Sequence, residues 1–227
     1  TIVMDFFLMG TIIEEIVIKM ARETKRLTGS KNLCLAGGVA LNCVANGKLL
    51  RKGIFKNVFI QPAAGDAGGA LGAALAANYL YFKGNRYLNG QMDDMQGSYL
   101  GPEFSNLEVE QVAKKYKAKY HKYESFDELA VKVAELIDQG NVIGWCQGRM
   151  EFGPRALGSR SIIGDARNKE MQKKLNLKIK YRESFRPFAP SVLAEDSKAY
   201  FDLDAPSPYM LLVADVAEER KAEVPAN

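Results

Sequence analysis

The chain has 227 residues, room for one large domain or two small ones at ~100–200 residues per domain, and two fits better because composition changes character near the middle. Hydrophobic residues at 47% and charged residues at 26% exclude disordered, fibrous and collagenous classes. The net charge of +4 is too small to mark a nucleic-acid or membrane binder, yet residues 145–190 hold 11 Lys and Arg against 4 Asp and Glu, a local +7.

Residues 12–27 place Ile12, Ile13, Ile16, Val17, Met20, Ala21, Thr24 and Leu27 at three- and four-residue steps with charged residues opposite, which predicts an amphipathic helix ended by Gly29. The apolar stretch Phe6–Ile18 is broken by Glu14 and Glu15 and has no basic flank before it, so it fits neither a signal peptide nor a membrane span. The chain opens at Thr1 with no Met, directly on helical pattern, and sequence is expected upstream. A strand follows at Leu33–Ala36, then a glycine pair, a helical stretch to about Lys52, a second strand at Val58–Ile60, and a small-residue helix from about Ala67 to Phe82. Helix-strand-helix-strand-helix is part of an α/β layer.

From Lys83 to Pro102 the sequence is polar and rich in Gly, Asn and Asp, a linker or long loop with a domain boundary near Gly97. Ser125 and Glu128 form a capping box ahead of a helix that Gly140 closes. Strands are expected at Val142–Cys146, Ser161–Ile163, Phe188–Leu193 and Tyr209–Ala214, with a basic helix at about Lys169–Lys178. The second half is a separate α/β unit, giving domains at 1–84 and 98–227 with a linker at 85–97. Cys34, Cys43 and Cys146 are odd in number, form no C-x-x-C and lie in apolar stretches, which predicts buried thiols in a reducing cytoplasm. Trp145 and Cys146 are expected in the core, and His121, the only histidine, on a strand surface. That solitude excludes any site built on two histidines of this chain.

Three segments carry possible chemistry. Ala36-Gly37-Gly38-Val39-Ala40-Leu41-Asn42 turns a strand through two glycines into a helix, where backbone amides and the positive helix end can approach a phosphate. It matches neither common nucleotide-binding fingerprint, and alone it reads more simply as an ordinary tight turn. Pro62-Ala63-Ala64-Gly65-Asp66-Ala67-Gly68-Gly69 repeats the layout one unit later, and two such turns on neighbouring strands would face one cleft. Asp66 there reads equally as a metal ligand or as a helix N-cap. The third segment, Gly148-Arg149-Met150-Glu151-Phe152-Gly153-Pro154-Arg155-Ala156-Leu157-Gly158-Ser159-Arg160-Ser161, sets three arginines among glycines and a proline. It is suited to forked contacts with phosphate, and Lys178, Lys180, Arg182 and Arg186 follow shortly after. Lys169, Lys173 and Lys174 read as a solvated helix face.

Together these words, with Leu33-Cys34-Leu35 before the first and Glu183-Ser184-Phe185-Arg186-Pro187-Phe188-Ala189-Pro190 after the last, resemble the O-carbamoyltransferase family that modifies nodulation factors and antibiotics. The resemblance implies the C-terminal part of an actin-like (TsaD-like) ATPase-fold domain followed by a YrdC-like α/β domain, as a C-terminal fragment of a longer protein. It implies that the second domain makes carbamoyl-adenylate from carbamoyl phosphate and ATP with Mg²⁺, and that the first transfers the carbamoyl group to a hydroxyl of a small-molecule acceptor. A fragment of this kind is expected to lack full transfer activity. By the same resemblance Arg155, Arg160 and Arg186 are catalytic. Gly37, Gly38, Asn42, Arg149, Glu151, Ser161, Lys178 and Arg182 bind substrate or nucleotide, and Asp66 is a ligand of the family's iron, whose histidines lie in the longer N-terminal portion. The alternatives are a relative serving tRNA threonylcarbamoylation and an RNA-binding module. The basic segment favours the latter, and the want of an aromatic stacking series opposes it.

Overall fold

The computed structural model describes residues 2–87, 90 and 93–222, and for 2–9 the backbone alone. It is a mixed α/β structure that divides into two compact units. Among the described residues the first contains 2–97, 152–155 and 192–222, and the second 98–151 and 156–191. The division falls between Gly97 and Ser98, and 152–155 and 192–222 belong to the first unit.

In the first unit helix α1 (Ile2–Thr28) ends where Gly29 takes φ 64°, a conformation that favours glycine. Strands β1 (Asn32–Leu35) and β2 (Asn57–Ile60) pair in parallel, Leu33 opposite Val58 and Leu35 opposite Ile60. Helix α2 (Cys43–Arg51) makes the crossover that a parallel pair requires. Side chains alternate across a strand, so Leu33, Leu35 and Val58 turn to a core of Ile18, Ala21, Leu49 and Phe55. Cys34 and Phe59 take the exposed face. Helix α3 (Asp66–Ala76) continues through a wider turn at Ala77–Tyr81, and it buries none of its residues. Its five alanines favour the helix and its three glycines oppose it.

The second unit has α4 (Asn106–Lys115), α5 (Phe126–Asp138), an antiparallel pair β3 (Ile143–Cys146) and β4 (Arg160–Ile163), and the short helix α6 (Met171–Lys174). A wider turn at Leu175–Lys180 prolongs α6 and stops at Tyr181, which has φ 50°. The register sets Ile143 against Ile163 and Cys146 against Arg160, and the Gln147 amide donates to Ser159 O at 2.9 Å. Residues 147–159 are thus the connection of a β-hairpin. One more short helix, α7 (Ser197–Tyr200), lies in the first unit.

Several expectations are corrected. Phe188–Leu193 is not a strand: Pro190 within it has no amide to give a ladder. Tyr209–Ala214 is not a strand either, because its backbone is satisfied by α2. The Val213 amide donates to Cys43 O (3.1 Å), Asn46 Nδ2 to Leu211 O (3.1 Å) and Arg51 Nη1 to Val213 O (3.0 Å). Gly47 makes this approach feasible, since a Cβ there would stand 2.2 Å from Val213 O. The thiols are not buried. Cys34 and Cys146 are exposed and Cys43 is half-buried, the first two because strand alternation turns them from the core. Trp145 is only half-buried, edge-on to Phe126 with centroids 6.2 Å apart. His121 lies in irregular chain, exposed, its ring edge-on to Tyr123 at 4.7 Å. Ser125 Oγ accepts from the Glu128 amide, but the reciprocal capping box is at Ser105 and Glu108, which open α4, a helix the sequence reading left out.

Candidate functional site

In the first unit the two glycine turns are neighbours. Gly37, at φ 90°, carries the chain from β1 into a tight helical turn (Gly38–Leu41), and its amide donates to Ala64 O at 2.8 Å. Ala63 and Ala64 are buried. Asn42 is the N-cap of α2: its Oδ1 accepts from the amides of Val44 (3.2 Å) and Ala45 (3.1 Å). That leaves the Asn42 side chain occupied with two of the donors a helix start leaves open. Asn46, buried and unforeseen, donates from Nδ2 to Ala40 O (2.8 Å) as well as to Leu211 O, so one amide group braces the turn. Its signal in sequence is faint, a polar residue at a core-facing position of an apolar helix.

Segment 152–155 completes this array. Gly153 has φ 126° and lies so close to the second turn that a Cβ would meet Ala63 Cβ at 3.1 Å. Arg155 donates from Nη2 to Leu41 O at 2.7 Å, while its Nε is buried and has no partner. Asp66 is the first residue of α3, exposed, with Gly65 as the N-cap. Among the described residues no group of three or more His, Cys, Asp or Glu converges. One exposed carboxylate is not by itself the donor set an iron ion requires.

In the second unit the hairpin loop is organised by Glu151. Its Oε1 accepts from the amides of Leu157 (2.7 Å), Ser159 (2.8 Å) and Arg160 (3.2 Å). Partial burial alone would raise this carboxyl, but those amides and its own together outweigh burial and hold it below the usual Glu value. Ser161 Oγ accepts from the Gly158 amide at 3.0 Å, closing the same curve. Arg160 donates from Nη1 to Gln147 O (3.0 Å) and Ser159 O (2.9 Å), and from Nη2 to Gly148 O (3.2 Å). All three acceptors are carbonyls, so the guanidinium is oriented without its charge being neutralised. Arg149 makes one longer contact, Nη2 to Leu100 O at 3.4 Å.

The downstream cations form a separate group around Asn176, which is fully buried. Asn176 Oδ1 accepts from Arg182 Nε (2.7 Å), and its Nδ2 donates to Ser184 O (3.1 Å) and Arg186 O (2.8 Å). Arg182 also lies over the Phe188 ring at 4.9 Å, and Arg186 pairs with Glu183 at 2.8 Å. Lys178 is exposed on the turn after α6. Asn176 is the residue here that sequence reasoning missed, hidden inside a run that reads as a solvated basic helix. Among the described residues no hydrogen bond joins this group to the hairpin loop.

Two carbamoyltransferase family models match the chain: the one described as Carbamoyltransferase N-terminus over residues 8–75 and the one described as Carbamoyltransferase C-terminus over 134–227. Among relatives, an uncharacterised protein of Synechocystis (sll1178) is 60% identical over 92% of this chain and 34% of its own length. Nodulation protein NolNO of Sinorhizobium fredii is 46% identical over 92% of this chain and 30% of its own length. The 3'-hydroxymethylcephem-O-carbamoyltransferase of Streptomyces clavuligerus is 34% identical over 82% of this chain and 33% of its own length. The chain spans about a third of the length of the curated relatives it matches.

Proposed function

The chain belongs to the carbamoyltransferase family, and from that premise we propose that it serves ATP-dependent activation of a carbamoyl group and its transfer to a hydroxyl of a small molecule. The observation that carries the reading is the state of Arg160. Its guanidinium is fixed on three carbonyls in a glycine-rich loop and, among the described residues, is paired with no carboxylate. An oriented, uncompensated charge of this kind suits an anionic reactant.

On this reading the second unit is the YrdC-like, carbamoyl-activating part and the glycine turns belong to an actin-like transferase part. Carbamoyl phosphate supplies the carbamoyl group and ATP the adenylyl group. Water first cleaves carbamoyl phosphate to carbamate and inorganic phosphate; a carbamate oxygen then bonds to the α-phosphorus of ATP as the bond to pyrophosphate breaks, giving carbamoyl-adenylate. Arg160 and Arg186 take the catalytic roles there, facing the phosphoryl oxygens as charge shifts toward the leaving group, with Arg149, Lys178 and Arg182 holding the reactants. Glu151 and Ser161 shape the loop that presents Arg160. In the transfer step an acceptor hydroxyl attacks the carbamoyl carbon and AMP leaves, with Gly37, Gly38 and Asn42 next to the nucleotide portion. Mg²⁺ would accompany ATP and lower the charge on its phosphates. The name of the Streptomyces relative, an O-carbamoyltransferase acting on a hydroxymethyl cephem, supports a hydroxyl acceptor.

Purified chain given ATP, Mg²⁺ and carbamoyl phosphate should release pyrophosphate, and Arg160→Ala should lower that release by about 10²-fold, the usual effect of removing one oriented donor. A folded sample that releases no pyrophosphate in response to carbamoyl phosphate overturns the activation step. Release that depends instead on threonine and bicarbonate would transfer the chain to the tRNA-modification alternative.

A further inference from the structure

The three arginines of the Gly148–Ser161 segment do not share one task. Arg149 and Arg160 make their hydrogen bonds inside the second unit, to Leu100, Gln147, Gly148 and Ser159, whereas Arg155 belongs to the first unit and bonds Leu41. Leu41 closes the tight turn Gly38–Leu41, and the next residue, Asn42, caps α2. The ladder of α2 begins with the Asn46 amide on Asn42 O. The Leu41 carbonyl is therefore outside it, and a guanidinium on that oxygen fixes the angle at which the turn enters the helix.

The arrangement has an electrostatic cost. A cation beside the first residues of a helix opposes the partial positive charge there, and no ion pair of Arg155 with a carboxylate is present among the described residues to offset it. The buried Nε without a partner adds to that cost. An anion received at the turn would relieve both. The backbone is also committed to this placement, with Gly153 at φ 126° against Ala63 and Gly37 bonded to Ala64 O.

We infer that Arg155 is a positioning residue of the glycine turn in the first unit, holding Gly38–Leu41 through the Leu41 carbonyl in the conformation that receives an anionic nucleotide. This separates Arg155 from the activating loop to which the sequence assigns it. The inference rests on the nucleotide reading of Gly37 and Gly38 given above.

The test is titration of the whole chain with Mg-ATP, following the backbone amide resonances of Gly37 and Gly38 and measuring affinity by calorimetry, for wild type, Arg155→Lys and Arg155→Ala. Arg155→Ala should bind about 10-fold more weakly and speed hydrogen exchange at Val44 and Ala45. Arg155→Lys, which can still donate one bond to Leu41, should recover most of the affinity and protection. Should Arg155→Ala not fold, Arg155→Met takes its place, keeping the length of the side chain without a donor. Wild-type affinity in the Ala or Met variant overturns the inference and leaves the nucleotide reading standing. A Lys variant as weak as Ala also overturns it, since the guanidinium would then act on the ligand directly and not through Leu41. If Gly37 and Gly38 of the wild type do not respond to Mg-ATP, the nucleotide reading itself falls and the inference with it.

Discussion

A carboxylate oxygen that accepts from three backbone amides, as Glu151 does from Leu157, Ser159 and Arg160, does for the hairpin loop what a bound anion does for a phosphate-binding turn. It gathers donors that would otherwise diverge, and in doing so it aims Arg160. Because the amides outweigh partial burial and hold the carboxyl below its ordinary value near 4.5, the linkage sign is fixed. The loop gains stability from Glu151 above the unfolded-state pKa and loses it as pH falls through the lower folded value. Glu151→Gln keeps the shape without the charge. It should destabilise the second unit by about 1.5–3 kcal/mol at pH 7, the range for hydrogen bonds to a charged group. The difference from wild type should shrink when urea melts are repeated below pH 4. A difference that stays constant between pH 7 and pH 3 would mean that the ionised carboxylate is not what holds the loop.

At the scale of elements, the segment Tyr209–Ala214 shows how a run that looks like a strand can spend its backbone elsewhere. Its carbonyls and amide are taken by Cys43, Asn46 and Arg51 of α2, and the contact depends on the absence of a side chain at Gly47. Gly47→Ala should therefore destabilise the first unit by about 1–3 kcal/mol, the usual cost of overpacking, although alanine favours the helix itself. Increased proteolysis within 205–217 would report it, and an unchanged or higher melting midpoint would contradict it. The elements that could be read in advance are those whose signal is local: the 3.6-residue period of α1, the glycine turns after β1 and β2, and the strands β3 and β4, though not their pairing. What was not legible depends on distant partners. Nothing near Asn176 announces that it will be buried and hold Arg182 and Arg186, and nothing near Arg155 announces Leu41. The buried-thiol expectation failed for a related reason, since apolar neighbours in sequence do not say which face of a strand will be covered. The candidate site was thus legible as a set of residue types and not as a grouping of them.

For the whole molecule, the two units differ in how much they bury. The first has Ile18, Ala21, Leu49 and Phe55 packed with four partly buried apolar residues. Among the described residues the buried apolar side chains of the second are Met171 and Leu175. Burial stabilises at about 25 cal/mol per Å², so the second unit should unfold first. Trp145, the single tryptophan, lies in it and reports on it alone. In urea its fluorescence should change at lower concentration than the far-ultraviolet helical signal, to which α1 contributes much, and coincident transitions would contradict the difference. The return of Leu211 and Val213 to α2 also has a consequence in time. Asn46 and Leu211 are 165 positions apart, and closing so long a loop is slow as well as entropically costly. During synthesis α2 is made before Val213, and its Gly47 groove has no occupant until Val213 has left the ribosome. Through that interval the β1–α2–β2 layer exists without the segment that braces its glycine turn, and this nascent layer is the stage at which the chain is most open to chaperones or to mispairing.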